Sequence, residues 1–156
     1  MQSVDEVLQA ALEMERQGRA YYLQAARRVK DPVIRATLEA LAHDEEIHEH
    51  VIRRYYEAVR KQAGWPDISA DVTAPQPAKQ RIQEIMDQTA GQIGEDDAYA
   101  DVYEKARELE LKSRDYYREQ ADQAEDRELV KFFRFLAGME QTHLEVLGLL
   151  LQGIEE

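Results

Sequence analysis

Two pairs of residues share one spacing: Glu45 with His48, and Glu140 with His143, each three apart. On a helix that spacing projects a carboxylate and an imidazole from one face, about one turn apart. Two further glutamates, Glu15 and Glu110, each precede one of these pairs by thirty residues. Carboxylates and imidazoles make an oxygen and nitrogen donor set suited to iron, manganese or zinc. Buried carboxylates without compensation take up protons rather than stay charged. Four of them around two divalent cations balance, four negative charges against four positive. The chemistry open to these residues is that of a pair of metal ions.

The pairing is not confined to those six residues. Setting each residue from Val7 to Val51 beside the one 95 positions later gives 14 identities in 45 ungapped pairs. Ordinary composition would give about three. The matches include Glu15/Glu110, Tyr21/Tyr116, Tyr22/Tyr117, Asp31/Asp126, Leu41/Leu136, Ala42/Ala137, Glu45/Glu140 and His48/His143. Shared helical periodicity aligns apolar residues but does not explain matched Glu, His and Tyr. The chain reads as two copies of one helical hairpin, related by an approximate two-fold axis.

The elements that must position these residues are long helices. Ser3 and Glu6 form a capping box, so a first helix starts at about Val4 and runs to about Val29. Asp31 caps a second helix with Pro32 at its first position, ending at about Ala63 with Gly64 as a left-handed cap and Pro66 beyond. A third begins near Asp96 or Asp97 and lasts to about Gln123; a fourth follows Asp126 and reaches about Gln152, with Gly153 past its end. Hairpins over about 3–63 and 96–153 then belong to one domain, joined by a crossover over about 64–95. Ile82, Ile85, Met86 and Ile93 keep helical spacing within it, which predicts a short packed helix. Two tight hairpins and one long crossover make an all-α, ferritin-like four-helix bundle.

The six polar residues fall within apolar stripes. Leu38, Leu41, Ile52 and Tyr55 flank Glu45; Phe133, Leu136 and Leu147 flank Glu140. Leu8, Ala11, Leu12 and Tyr22 continue the face of Glu15, as Val102, Ala106 and Tyr117 continue that of Glu110. His43, His50, Glu46, Glu49, Glu13 and Glu108 fall on the outward faces, and Trp65 covers the end of the second helix. Tyr21, Tyr55, Tyr56 and Tyr116 read as packing or interface residues.

Composition narrows the class. With 156 residues, four Pro, seven Gly and 33% charged residues, the chain suits solvated helices around one core. A formal charge of −12 argues against nonspecific nucleic-acid binding. No apolar run approaches a membrane span and the N-terminus lacks the order of a secretory signal, so the expectation is a cytoplasmic protein. No cysteine is present, so these residues form no disulfide, thiolate zinc site or cysteine-ligated iron centre.

The segments ALEMERQGRAYY and ARELELKSRDYY, followed by LAHDEEIHEH and LAGMEQTHLE, resemble the rubrerythrin-like branch of the ferritin-like superfamily over nearly the whole chain. The resemblance implies two iron ions, with manganese or zinc as substitutes. Their ligands would be Glu15, Glu45, His48, Glu110, Glu140 and His143, with Glu45 and Glu140 bridging and Glu15 and Glu110 terminal. Tyr22 and Tyr117 would hydrogen-bond the ligands. It also implies a homodimer.

Two departures bear on activity. Rubrerythrins proper carry a rubredoxin-type domain, which a chain without cysteine cannot contain. They also carry a further Glu one turn after the third-helix ligand, where this chain has Ser113. The resulting expectation is a di-iron protein that reduces hydrogen peroxide or oxygen with electrons from an external donor protein. The alternatives are a ferroxidase that oxidises, stores or passes on Fe(II), and a noncatalytic metal-stabilised bundle.

Overall fold

The computed structural model describes residues 3–62, 64–67, 84 and 100–155. Within these lie four long helices: α1 (Val4–Arg28), α2 (Pro32–Arg60), α3 (Ala100–Gln123) and α4 (Arg127–Glu155). They form an all-α four-helix bundle of the ferritin-like fold.

Local chemistry sets most of the helix ends. At the start of α1 the Ser3 hydroxyl accepts from the Glu6 N–H at 3.2 Å, and the Glu6 carboxylate accepts from the Ser3 N–H at 3.3 Å. Two of the four orphan donors of the first turn are thereby satisfied. Asp31 accepts from the Val33 N–H at 2.9 Å and from the Ile34 N–H at 3.4 Å, with Pro32 behind it. In the same turn the Arg35 guanidinium donates to the carbonyls of Ala26 and Val29, at 3.3 and 2.7 Å. The carbonyls freed at the end of α1 therefore find a cation. Asp126 repeats the device by accepting from the Glu128 N–H at 2.8 Å.

Two ends differ from the sequence expectation. α2 stops at Arg60, before Ala63, and the left-handed residue is Gln62 at φ 53° rather than Gly64. The cause lies in packing. Trp65 stacks on Tyr55 with ring centroids 5.3 Å apart, so the chain must turn back within a few residues of Arg60. At the other terminus Gly153 does not end α4, which continues through it to Glu155. A helical glycine costs only about 1 kcal/mol against alanine, and no proline follows to enforce a stop. The predicted start of the third helix at Asp96 or Asp97 lies outside the described residues, as do Ile82, Ile85, Met86 and Ile93 of the expected crossover helix.

The interior is layered along the bundle axis. One apolar cluster gathers Tyr22, Ala26, Leu38, Leu41, Tyr103, Ala106 and Leu147. Another gathers Leu8, Ala11, Ile52, Tyr55, Tyr117, Phe132 and Leu136, with the Tyr55 and Phe132 rings stacked at 3.7 Å. Between the two clusters every helix places buried polar residues: Glu15 on α1, Glu45 and His48 on α2, Glu110 on α3, Glu140 and His143 on α4. Each fully buried Leu or Phe contributes about 1.5–3 kcal/mol. The two apolar layers are what hold a belt of carboxylates out of water.

Candidate metal centre

Glu15, Glu45, His48, Glu110, Glu140 and His143 are each no more than 3% exposed. The fold brings all six together. Nδ1 of His48 lies 3.2 Å from Glu15 Oε2 and 3.3 Å from Glu140 Oε1. Nδ1 of His143 lies 3.1 Å from both Glu45 Oε1 and Glu110 Oε1. The two imidazoles stack at 5.4 Å with their planes 19° apart. Two four-residue sets of donor atoms result, each within 4.8 Å: Glu15, Glu45, His48 and Glu140, then Glu45, Glu110, Glu140 and His143; a third, smaller group joins Asp44 to the two histidines. Glu45 and Glu140 belong to both four-residue sets.

The two phenols cross the axis. Tyr117 donates to Glu15 Oε1 at 2.7 Å, and Tyr22 donates to Glu110 Oε1 at 2.6 Å. Each tyrosine thus orients the glutamate of the opposite hairpin, although it lies seven residues beyond the glutamate of its own. Burial raises both phenols well above the ordinary tyrosine pKa, and the neighbouring carboxylates raise them further. They remain protonated and act as donors.

Electrostatics divides the four glutamates into two classes. Burial works against charge on all of them. For Glu15 it is outweighed by the charge of His48 and by hydrogen bonds from Glu45, His48 and Glu140, leaving its pKa well below the usual range. For Glu110 the charge of His143 and its hydrogen-bonding neighbours bring the pKa down to about 2. Glu45 and Glu140 go the other way, pushed well above the ordinary value by burial and then by the charges of Glu15 and Glu110. Burial would depress His143, but Glu110 and a hydrogen bond to Asp44 hold it well above its ordinary value.

The donor set fits a metal pair. Glu45 Oε1, Glu110 Oε2 and Glu140 Oε1 are buried acceptors without a hydrogen-bond donor among the described residues. At 3.1 Å, Glu45 Oε1 is within ion-pair reach of His143 but not in hydrogen-bonding geometry. Orphaned carboxylate oxygens that converge inside a protein call for cations.

Access is narrow. A cleft of about 10 Å³, room for one water-sized molecule, opens between α1 and α3 onto Glu45 and Glu110 and is lined by Met14, Gln17, Gly18 and Ser113. Gly18 has a steric reason to lack a side chain, since a Cβ there would sit 3.2 Å from Glu45 Oε2.

The family model for rubrerythrin matches residues 6–151. The chain belongs to the rubrerythrin family. No curated protein and no solved structure matches it. Membership in the rubrerythrin family implies iron binding, and the buried carboxylate and histidine groups are of a kind that can hold metal. No helix among the described residues is long and apolar enough to cross a membrane.

Two buried acids escaped the sequence reading. Asp44 is 7% exposed and accepts from His143 Nε2 at 3.0 Å. Its counterpart 95 residues on is Met139, so a search for matched residues passes over it. The available signal was an acid one turn before a histidine on an inward face. Glu49, expected on the outward face, is instead 3% exposed and paired with Arg19 at 3.1 Å. A long guanidinium side chain reaching across from α1 covers it. His43, His50, Glu46, Glu13 and Glu108 are exposed as expected.

Proposed function

We propose that this protein binds a pair of iron ions between Glu15, Glu45, His48, Glu110, Glu140 and His143. We further propose that it reduces hydrogen peroxide or oxygen with electrons from an external donor protein. The observation that carries the reading is the pair of overlapping donor sets sharing Glu45 and Glu140. Glu15 with His48 would complete one position, and Glu110 with His143 the other. Manganese and zinc suit the same donors.

When bound, two ferrous ions supply two electrons, the number needed to reduce one peroxide to water. The chain's own residues do the rest. Tyr22 and Tyr117 hold the terminal carboxylates in place by donating to them. The apolar layers above and below keep bulk water out, and the cleft at Gly18 and Ser113 admits only a small molecule. With no cysteine in these 156 residues, repeated turnover draws its electrons from a carrier outside them. A cytoplasmic homodimer without nucleic-acid partners is the accompanying expectation.

Ser113 favours a second reading. It lines the cleft where rubrerythrins proper carry an additional carboxylate, leaving a four-glutamate, two-histidine set closer to an iron-oxidising pattern. In that reading Fe(II) is the substrate, oxidised and then stored or passed on.

The test begins with anaerobic Fe(II) loading and elemental analysis, which should give two ions per chain. Replacing Glu45 and Glu140 together with Ala should abolish paired binding, and retention of two tightly held ions would refute the assignment. Rapid mixing of the loaded protein with peroxide or with oxygen then separates the activities. Faster oxidation by peroxide supports the peroxidase reading. Equal or faster oxidation by oxygen, with many irons processed per chain, supports iron oxidation. Inertness to both leaves a metal-stabilised bundle.

A further inference from the structure

The two halves of the centre match at almost every position that touches it. Terminal glutamates, bridging glutamates, histidines and crossing tyrosines all recur at the same 95-residue offset. The support behind the histidines does not. His143 points Nδ1 at Glu45 and Glu110 and directs Nε2 to Asp44 Oδ2 at 3.0 Å, with both side chains buried. His48 points Nδ1 at Glu15 and Glu140 in the same way. Its Nε2, also buried, has no hydrogen-bond partner among the described residues. A ring nitrogen of His48 lies within 4.8 Å of an Asp44 oxygen, but the hydrogen bond goes to His143. On α4 the position equivalent to Asp44 is Met139, whose thioether is only a weak acceptor.

A carboxylate that accepts from one imidazole nitrogen fixes the tautomer, steadies the ring and makes the other nitrogen a better donor to a metal. We infer that the two metal positions are unequal: Asp44 makes the position served by His143 the tighter one, which fills first. Asp44 is then a positioning residue that acts through His143. The inference rests on the two-metal reading above and adds an order to it.

Anaerobic titration of the metal-free protein with Co(II), followed by calorimetry and visible absorption, tests this without turnover. The wild-type protein should take up two ions in steps separated by roughly 10–100-fold in affinity. Repulsion between neighbouring ions can also split the steps, so the variants decide. Asp44→Asn should still bind two ions, with the first step weakened by roughly that factor and the second little changed. Met139→Asp should tighten the second step. A single affinity for both ions in the wild type would overturn the inference and leave the two-metal reading intact. So would an Asp44→Asn variant that weakens both steps equally or neither. Uptake of fewer than two ions by the wild type would remove the two-metal reading and this inference with it. Far-UV circular dichroism of each variant confirms that the helices are retained.

Discussion

Tyr117 donates its phenolic proton to Glu15, 102 residues away in sequence, at 2.7 Å. The bond runs between hairpins, as does its mate from Tyr22 to Glu110. These two bonds tie Glu15 and Glu110, one from each half, to the helices of the other, so the halves are joined by buried hydrogen bonds as well as by apolar packing.

Removing one of these hydroxyls should therefore cost stability without leaving a cavity. A buried hydrogen bond to a charged acceptor contributes about 1.5–3 kcal/mol, so Tyr22→Phe or Tyr117→Phe should each lose about that much in the metal-free protein. Urea denaturation of the two variants beside wild type checks it. Losses under half a kcal/mol, on the order of ordinary surface substitutions, would mean that the phenols only pack.

The pH dependence of the metal-free protein should run against the common pattern. Glu45 and Glu140 have pKa values raised by burial and by their charged neighbours. Their contribution is complete below the ordinary carboxyl value and is lost as pH rises through the folded one. His143, also raised, contributes below the ordinary imidazole value and fades at higher pH. Glu15 and Glu110 are depressed, so theirs holds above the ordinary carboxyl value and fails as pH falls, for Glu110 toward about 2. Between about pH 5 and pH 9 the metal-free melting temperature should therefore fall as pH rises. Metal ions replace the protons, so loading should flatten that slope and release up to about three protons per pair at neutral pH. A metal-free melting temperature that climbs steadily over this range would contradict the assignment of charges.

Gly18→Ala sets two effects against each other. Alanine inside a helix gains about 1 kcal/mol over glycine. Its methyl group, however, would sit 3.2 Å from Glu45 Oε2, closer than a relaxed contact. The variant should melt no lower than wild type when metal-free, yet bind metal more weakly, because Glu45, shared by both donor sets, would be displaced. Unchanged affinity for both ions would show that Glu45 has room to move.

The sequence was most informative wherever both copies kept the same residue. Glu15, Glu45, His48, Glu110, Glu140 and His143 were legible because an offset comparison rewards matched polar residues, and the structure brings all six into one belt. That same comparison is blind to asymmetry, which is why Asp44, paired in register with Met139, went unseen. Glu49 was misplaced for another reason: helical periodicity alone cannot anticipate an arginine from the neighbouring helix folding over it. Capping chemistry located the start of α1 and the turn at Asp31 because Ser3 and Asp31 act on residues next to them. The end of α2 depends on Trp65 reaching back to Tyr55, a tertiary contact that no local rule contains.

Each hairpin supplies two buried glutamates and one histidine, and each four-residue donor set takes one further glutamate, Glu140 or Glu45, from the other hairpin. A dimer of a single such hairpin would hold every component of the centre in strict two-fold symmetry. In a single chain that symmetry is not imposed, because a change at one position is not repeated at its mate. Asp44 against Met139, and Gly18 against Ser113, are differences that such a symmetric dimer could not carry. The two half-sites can therefore be adjusted separately, whereas a change at Glu45 or Glu140 reaches both donor sets.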